Sequence, residues 1–156
     1  MELVFDDRKL LVPGVHEVSL ETVKEYFGKF QRSDRRVTLF AKLTAFIDAI
    51  KKAGCGESVI IDGSFVMACV DEPDDIDLVL VLPIGWDMDA DLKPYQYNVV
   101  SRRRVAKAYG FDVLVVENRS ADEATWIDYF GQVDPKWRKR FGWPNALRKG
   151  ILKVVL

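Results

Sequence analysis

The chain is poor in the residues that fix or localise a protein by special means. Of 156 residues, two are cysteines (Cys55, Cys69) and one is a histidine (His16). Two cysteines do not make a disulfide framework. No apolar run approaches the roughly 20 residues that a membrane span needs, so no membrane is expected. The first seven residues, Met1–Asp7, hold no positive stretch ahead of an apolar one. A signal peptide is therefore not expected, and a cytoplasmic setting is. Internal repeats, low-complexity tracts and linkers are absent too. A net charge of −1, from 23 basic and 24 acidic residues, excludes a uniformly basic nucleic-acid coat and an acidic disordered chain.

What is present suits one domain over residues 1–156. Apolar residues make up 49% of the chain, enough for a core without disulfides or a structural metal. The near-neutral charge is segregated. Asp71, Glu72, Asp74, Asp75, Asp77, Asp87, Asp89 and Asp91 form an acidic block with no basic residue among them. From Lys136 onward the chain is basic, with no carboxylate side chain. Between the two blocks stands Arg102-Arg103-Arg104, with Lys107 a turn later.

Hydrophobic periodicity predicts a helix from a Ser19 cap to about Phe30. A second is predicted over Asp34–Ala53, on a face of Val37, Phe40, Ala41, Thr44, Ile47 and Ile50 flanked by Leu39, Leu43 and Phe46, with Gly54 at its end. Ser58–Asp62 reads as a buried strand, closed by a Gly63-Ser64 turn. Phe65–Val70 reads as one or two helical turns. Ile76–Leu82, between Pro73 and Pro83, is the strongest strand. An acidic loop follows, then a helix over 95–109, a strand over Phe111–Val116 and a helix over Ala121–Phe130. Residues 131–149 read as irregular, and Gly150–Leu156 as a final edge strand. This alternation predicts an α/β (α+β) domain: a small mixed sheet with helices packed on it. N-terminal helices occupy 19–53, the motif core about 56–117 and the basic C-terminal segment 132–156.

Two of the strands carry aspartates. Asp75 and Asp77 are two residues apart, so in a strand they share a face at about 6.5–7 Å while Ile76 enters the core. Asp112 begins the next strand; were the strands adjacent, about 4.8 Å apart, it would join them. Three carboxylates this close repel by several kcal/mol at an effective dielectric of about 20. A divalent cation relieves that repulsion, and hard oxygen ligands suit Mg²⁺ or Mn²⁺ with positions left for water and phosphate. Such metals can neutralise a leaving group in displacement at phosphorus. Upstream, Gly63-Ser64 offers backbone N–H groups and a hydroxyl to a phosphate.

Gly63-Ser64, ten residues, then Asp75-Ile76-Asp77 and a later strand aspartate, Asp112, resembles the signature of the DNA polymerase β-like nucleotidyltransferase superfamily. It is most similar to the minimal nucleotidyltransferases. The likeness covers about Val59–Val116. It implies a nucleotidyltransferase-like fold and transfer of an NMP group from an NTP (ATP among the candidates) to a hydroxyl, with release of pyrophosphate. It implies phosphate binding by Gly63 and Ser64, and metal binding and catalysis by Asp75, Asp77 and Asp112. A protein or RNA acceptor, and a cognate partner chain as in toxin–antitoxin or phage-defence pairs, are further implications. A catalytically weak binding module on the same fold is the alternative. Many relatives of this kind carry arginines between the Gly-Ser and the first aspartate. Phe65–Asp74 holds none, so the triphosphate charge falls to Arg102–Arg104, Lys107 or the basic C-terminal segment.

The remaining polar residues have plainer readings. Asp62 and Asp74 are expected at the surface, with support of the neighbouring site carboxylates as the alternative; Asp87, Asp89 and Asp91 are expected in solvated loop, His16 in a loop, and Cys69 as a small apolar residue. In Trp137–Trp143 aromatics alternate with cations, which suits base stacking with phosphate contacts or tryptophans pinning a tail to the core.

Overall fold

The computed structural model describes residues 2–87 and 89–156. Among these, five strands form one mixed sheet: β1 (Gly14–Glu17), β2 (Ser58–Asp62), β3 (Asp77–Leu82), β4 (Asp112–Glu117) and β5 (Gly150–Val155). Their spatial order is β1-β5-β2-β3-β4. The outer pairs, β1 with β5 and β3 with β4, are parallel; β2 runs antiparallel to both neighbours. The expected α/β fold is therefore present, with a correction at each flank. β5 lies inside the sheet rather than at its edge. The edge belongs to β1, whose four residues are too short and too solvated to carry a period.

Period-two alternation divides the sheet residues between two cores. Val59, Ile61, Leu78, Leu80, Val113 and Leu152 face the larger one. It is closed by α1 (Leu20–Phe27), α2 (Arg35–Ala53), α3 (Pro94–Val100) and α4 (Arg102–Tyr109). Ile60, Val79, Val81, Val116 and Ile151 face the smaller one, which α5 (Ala121–Phe130) covers through Trp126, Ile127 and Phe130. The last helix, α6 (Pro135–Phe141), anchors Trp137 in a third cluster with Leu10, Met67, Val70 and Val133.

Local chemistry explains most helix ends. Ser19, Ser101 and Ser120 each accept a hydrogen bond from a first-turn N–H. The first helix stops at Gly28 rather than Phe30. On α2 the buried stripe is Leu39, Leu43, Phe46, Ile47, Ile50 and Ala53, while Val37 is exposed. The predicted face was rotated, because the i, i+3, i+4 series starting at Leu39 continues to the end of the helix and the one from Val37 does not. The single helix predicted over 95–109 is two, broken where Ser101 is extended and caps α4. After Gly63-Ser64 there is one 3₁₀ turn, Ser64–Val66. In 131–149, expected to be irregular, Asp134-Pro135 starts α6 and Gly142 ends it, a start and stop visible in the sequence.

Candidate active site

The strand register builds the site. Asp62 pairs with Asp77, and Asp77 with Asp112. Paired residues on adjacent strands project from the same face. Asp62 is two residues beyond Ile60, Asp77 two before Val79 and Asp112 two before Leu114, so all three lie on the face that α5 covers. They occupy one end of that face, where the apolar rows stop. Asp75 precedes β3 rather than lying in it. Its carboxylate comes to this end through the Gly63 turn. Gly63 has φ +87°, and a Cβ there would lie 3.0 Å from the Asp77 nitrogen and 3.2 Å from the Asp75 carboxylate. Only glycine allows the approach.

A cavity of about 130 Å³ opens here, its wall made of Gly63, Ser64, Asp75 and Asp77 together with residues of α5, α6 and the loop between them, Asp134 included. Ser64 is buried; its hydroxyl lies 3.4 Å from an Asp75 carboxylate oxygen and accepts the Asp74 N–H at 3.1 Å. The structure thus brings Gly63, Ser64, Asp75 and Asp77 together. Asp112 is in the row but not in the cavity wall. Its half-exposed carboxylate accepts two hydrogen bonds from Arg102, at 2.5 and 2.8 Å, which hold the guanidinium above its usual pKa.

Electrostatics distinguish the carboxylates. Asp62, expected at the surface, is 6% exposed and forms an ion pair with Lys149, itself 4% exposed. The Lys149 ammonium also donates to the Phe130 carbonyl at 3.1 Å. Burial pushes the Asp62 carboxyl up, against the lysine. Among the described residues no cation forms an ion pair with Asp77, and Lys149, already paired with Asp62, lowers its pKa least of the groups around it. Burial first, then Asp75, Asp62 and Asp112, raise its pKa to about 7. A carboxylate crowded in this way is one whose charge a cation would stabilise.

The donor chemistry fits a hard divalent ion at Asp75 and Asp77, since Mg²⁺ is commonly held by one or two carboxylates plus substrate phosphates. The expected trio is not assembled: among the described residues no group of three His, Cys, Asp or Glu side chains is placed to hold a metal. Asp112 is held by Arg102 instead.

The loop between the two halves of the motif is held by residues the sequence reading missed. Arg36 is 1% exposed and donates to the carbonyls of Phe27, Phe65, Met67 and Val70. Burial lowers its pKa to about 10. Arg35 donates to the carbonyls of Pro73 and Asp74, and Gln31 to that of Ala68. One signal was available: two arginines in the first turn of a helix, where the dipole disfavours cations, call for another partner.

Other candidates lie apart. His16 is on β1, its Nε2 2.7 Å from the Val12 carbonyl. Asp74 is exposed and pairs with Lys136 at 2.5 Å, tying the loop to α6. Arg104 stacks on Tyr97 and bonds Asn98. In the aromatic–cationic segment Trp137 is buried, under Lys136 and Arg140. Phe141 and Trp143 stack at 4.6 Å. No helix among the described residues is long and apolar enough to cross a membrane.

No curated protein and no solved structure matches the chain. A family model does match, over residues 3–155, which takes in every strand of the sheet and the whole cavity wall; the chain belongs to the family of unknown function DUF6932.

Proposed function

We propose that the protein is a Mg²⁺- or Mn²⁺-dependent nucleotidyltransferase that moves an NMP group from an NTP to a hydroxyl of a protein or RNA acceptor. The observation that carries this reading is the carboxylate pair Asp75 and Asp77, in no ion pair among the described residues, beside the Gly63-Ser64 turn in one cavity. The acceptor oxygen attacks the α-phosphorus, the bond from that phosphorus to the β-phosphate bridge breaks, and pyrophosphate leaves with the electron pair. Gly63 and Ser64 hold phosphate through the turn. Asp75 and Asp77 would hold the metal, which when bound supplies charge neutralisation at the phosphates. Asp112 becomes free to join them, or to take the acceptor proton, when Arg102 releases it. Positioning and electrostatics supply most of the catalysis in such transfers. A cytoplasmic setting and a cognate partner chain, as in toxin–antitoxin or phage-defence pairs, belong to the same reading.

Incubation with each α-labelled NTP, Mg²⁺ or Mn²⁺, cell RNA and lysate protein tests it. Label is expected in an RNA or protein band, and is expected to fall by about a hundredfold or more in an Asp75→Asn/Asp77→Asn variant. The Arg102 clamp on Asp112 favours a second reading, a binding module with little turnover. That reading expects no label from any NTP, and partner capture that survives the double substitution.

A further inference from the structure

We propose that α6 and the loop after it, residues 136–145, form a docking surface for single-stranded RNA; the assignment rests on the nucleotidyltransferase reading, since it names RNA as the acceptor. Lys136, Arg148 and Lys149 are each paired with an aspartate, respectively Asp74, Asp128 and Asp62. Arg138, Lys139 and Arg140, consecutive on α6, form no ion pair among the described residues. No carboxylate side chain follows Asp134 in the sequence. Aromatic rings lie among these cations. Trp137 is buried and anchors the helix. Phe141 stacks on it at 6.2 Å and on Trp143 at 4.6 Å, and is itself 37% exposed. Arg140 lies over both Trp137 and Phe141. Two grooves meet at Arg138 and Asn145. Pro135, Lys139 and Trp143 complete one; Gln132 and Arg148 are in the wall of the other. Arg138 donates to the Asn145 carbonyl at 2.7 Å, which fixes the loop against the helix.

The combination selects the partner. A single strand needs cations along its phosphates and ring faces for its bases, with little dependence on sequence. A duplex keeps its base faces stacked inside and offers the surface only phosphates. An acidic peptide meets the cations and leaves the rings unused. RNA presents unpaired bases in its loops and ends, and its 3′ end carries a hydroxyl of the kind the transfer consumes. The surface also adjoins the site. Pro135 and Gln132 line these grooves and belong to the wall of the cavity that holds Asp75 and Asp77. A strand seated on α6 is thereby led toward that cavity.

Binding without metal or NTP reads this surface by itself. The full chain is titrated into a fluorescein-labelled, mixed-sequence RNA of about 12 nucleotides, within the span one such binding face covers, and anisotropy is followed at a series of salt concentrations. Lys139→Ala/Arg140→Ala, two exposed positions, is expected to make the slope of log K on log salt shallower by about 1.4, the loss of two single-strand phosphate contacts. Phe141→Ala is expected to weaken binding about tenfold. Trp143→Phe keeps a ring in place, so it is expected to hold the affinity while losing part of the tryptophan quenching on binding. Thermal unfolding of each variant confirms that it is folded. An unchanged salt slope in the double variant overturns the surface. So does equal affinity for the RNA duplex or for DNA of the same sequence, or displacement of the RNA by polyglutamate of equal charge. Asp75→Asn/Asp77→Asn is expected to bind the RNA as the parent does. Label passed from an NTP to protein, with no RNA binding, overturns the surface and leaves the transferase reading standing. RNA binding through these residues, with no label from any NTP, supports the surface and counts against the transferase.

Discussion

Asp62 and Asp112 are mirror positions about Asp77, one strand to each side in the same register row. Each has its own cation, yet the two pairs are physically opposite. Asp62–Lys149 is sealed, with both side chains under a tenth exposed. Arg102–Asp112 stands in solvent, with side chains 65% and 52% exposed. The middle carboxylate has neither arrangement. The difference separates architecture from chemistry. A sealed pair cannot lose a partner without stranding a charge, so it fixes the floor of the site. An open pair exchanges readily with water or with an incoming anion, so it can release its carboxylate.

The largest effect is expected from breaking the sealed pair. Lys149→Met leaves the Asp62 carboxylate buried without its counter-charge and without the hydrogen bonds the ammonium supplied. Loss of one member of a buried pair costs about 3–5 kcal/mol. Urea denaturation of the variant at neutral pH is expected to show a loss of that size. Adding Asp62→Leu should return most of it, because the cost lies in the uncompensated charge. A loss under about 1 kcal/mol in Lys149→Met would mean that water reaches this pair and that the contrast with Arg102–Asp112 is one of degree.

The next effect comes from the middle of the row and has the opposite sign. Asp77, with its pKa raised to about 7, keeps a proton in the folded chain at pH values where the unfolded chain has lost it. Folded stability therefore falls as pH rises from about 4 to about 7 and levels out above that. Asp77→Asn removes this contribution. In metal-free buffer at pH 8 the variant is expected to be more stable by about 1–2 kcal/mol, the shift being discounted for partial exposure. Thermal unfolding of both proteins at a series of pH values gives the difference directly. The gain should vanish near pH 4, and Mg²⁺ should stabilise the parent more than the variant.

These contrasts mark how much was legible in sequence. Gly63, Ser64, Asp75 and Asp77 were, because a turn residue with positive φ and carboxylates near a strand start are local features. The strands and most helices were legible through period and caps. The pairing of Asp62 with Lys149 was not: the two are 87 residues apart, and β5 reads equally well as an edge strand. Nor was the role of Arg35 and Arg36. Their carbonyl partners lie in a loop whose path depends on the finished fold, and a carbonyl leaves no mark in a sequence. Asp112 was placed correctly in the row, but its capture by Arg102 depends on a helix break at Ser101, inside a segment that reads as one helix.

The smallest effect is expected at the open pair, and it is the one that gives the comparison its functional meaning. Arg102→Ala removes two charge-assisted hydrogen bonds, but both partners are solvated in the folded chain. An exposed pair of this kind contributes about 0–1 kcal/mol. The variant is therefore expected to unfold within about 0.5 kcal/mol of the parent, with the difference shrinking further as salt is added. Stability is the wrong place to look for this arginine. Its removal frees Asp112 beside Asp77, adding one carboxylate to those that can share a cation. Mn²⁺ binding to the full chain, followed by electron paramagnetic resonance, is accordingly expected to tighten in Arg102→Ala and to weaken in Arg102→Ala/Asp112→Asn relative to it. If Mn²⁺ affinity is the same in all three proteins, Asp112 takes no part in the cation site. Asp75 and Asp77 then form that site without it, and the row is functional only from its sealed end to its middle.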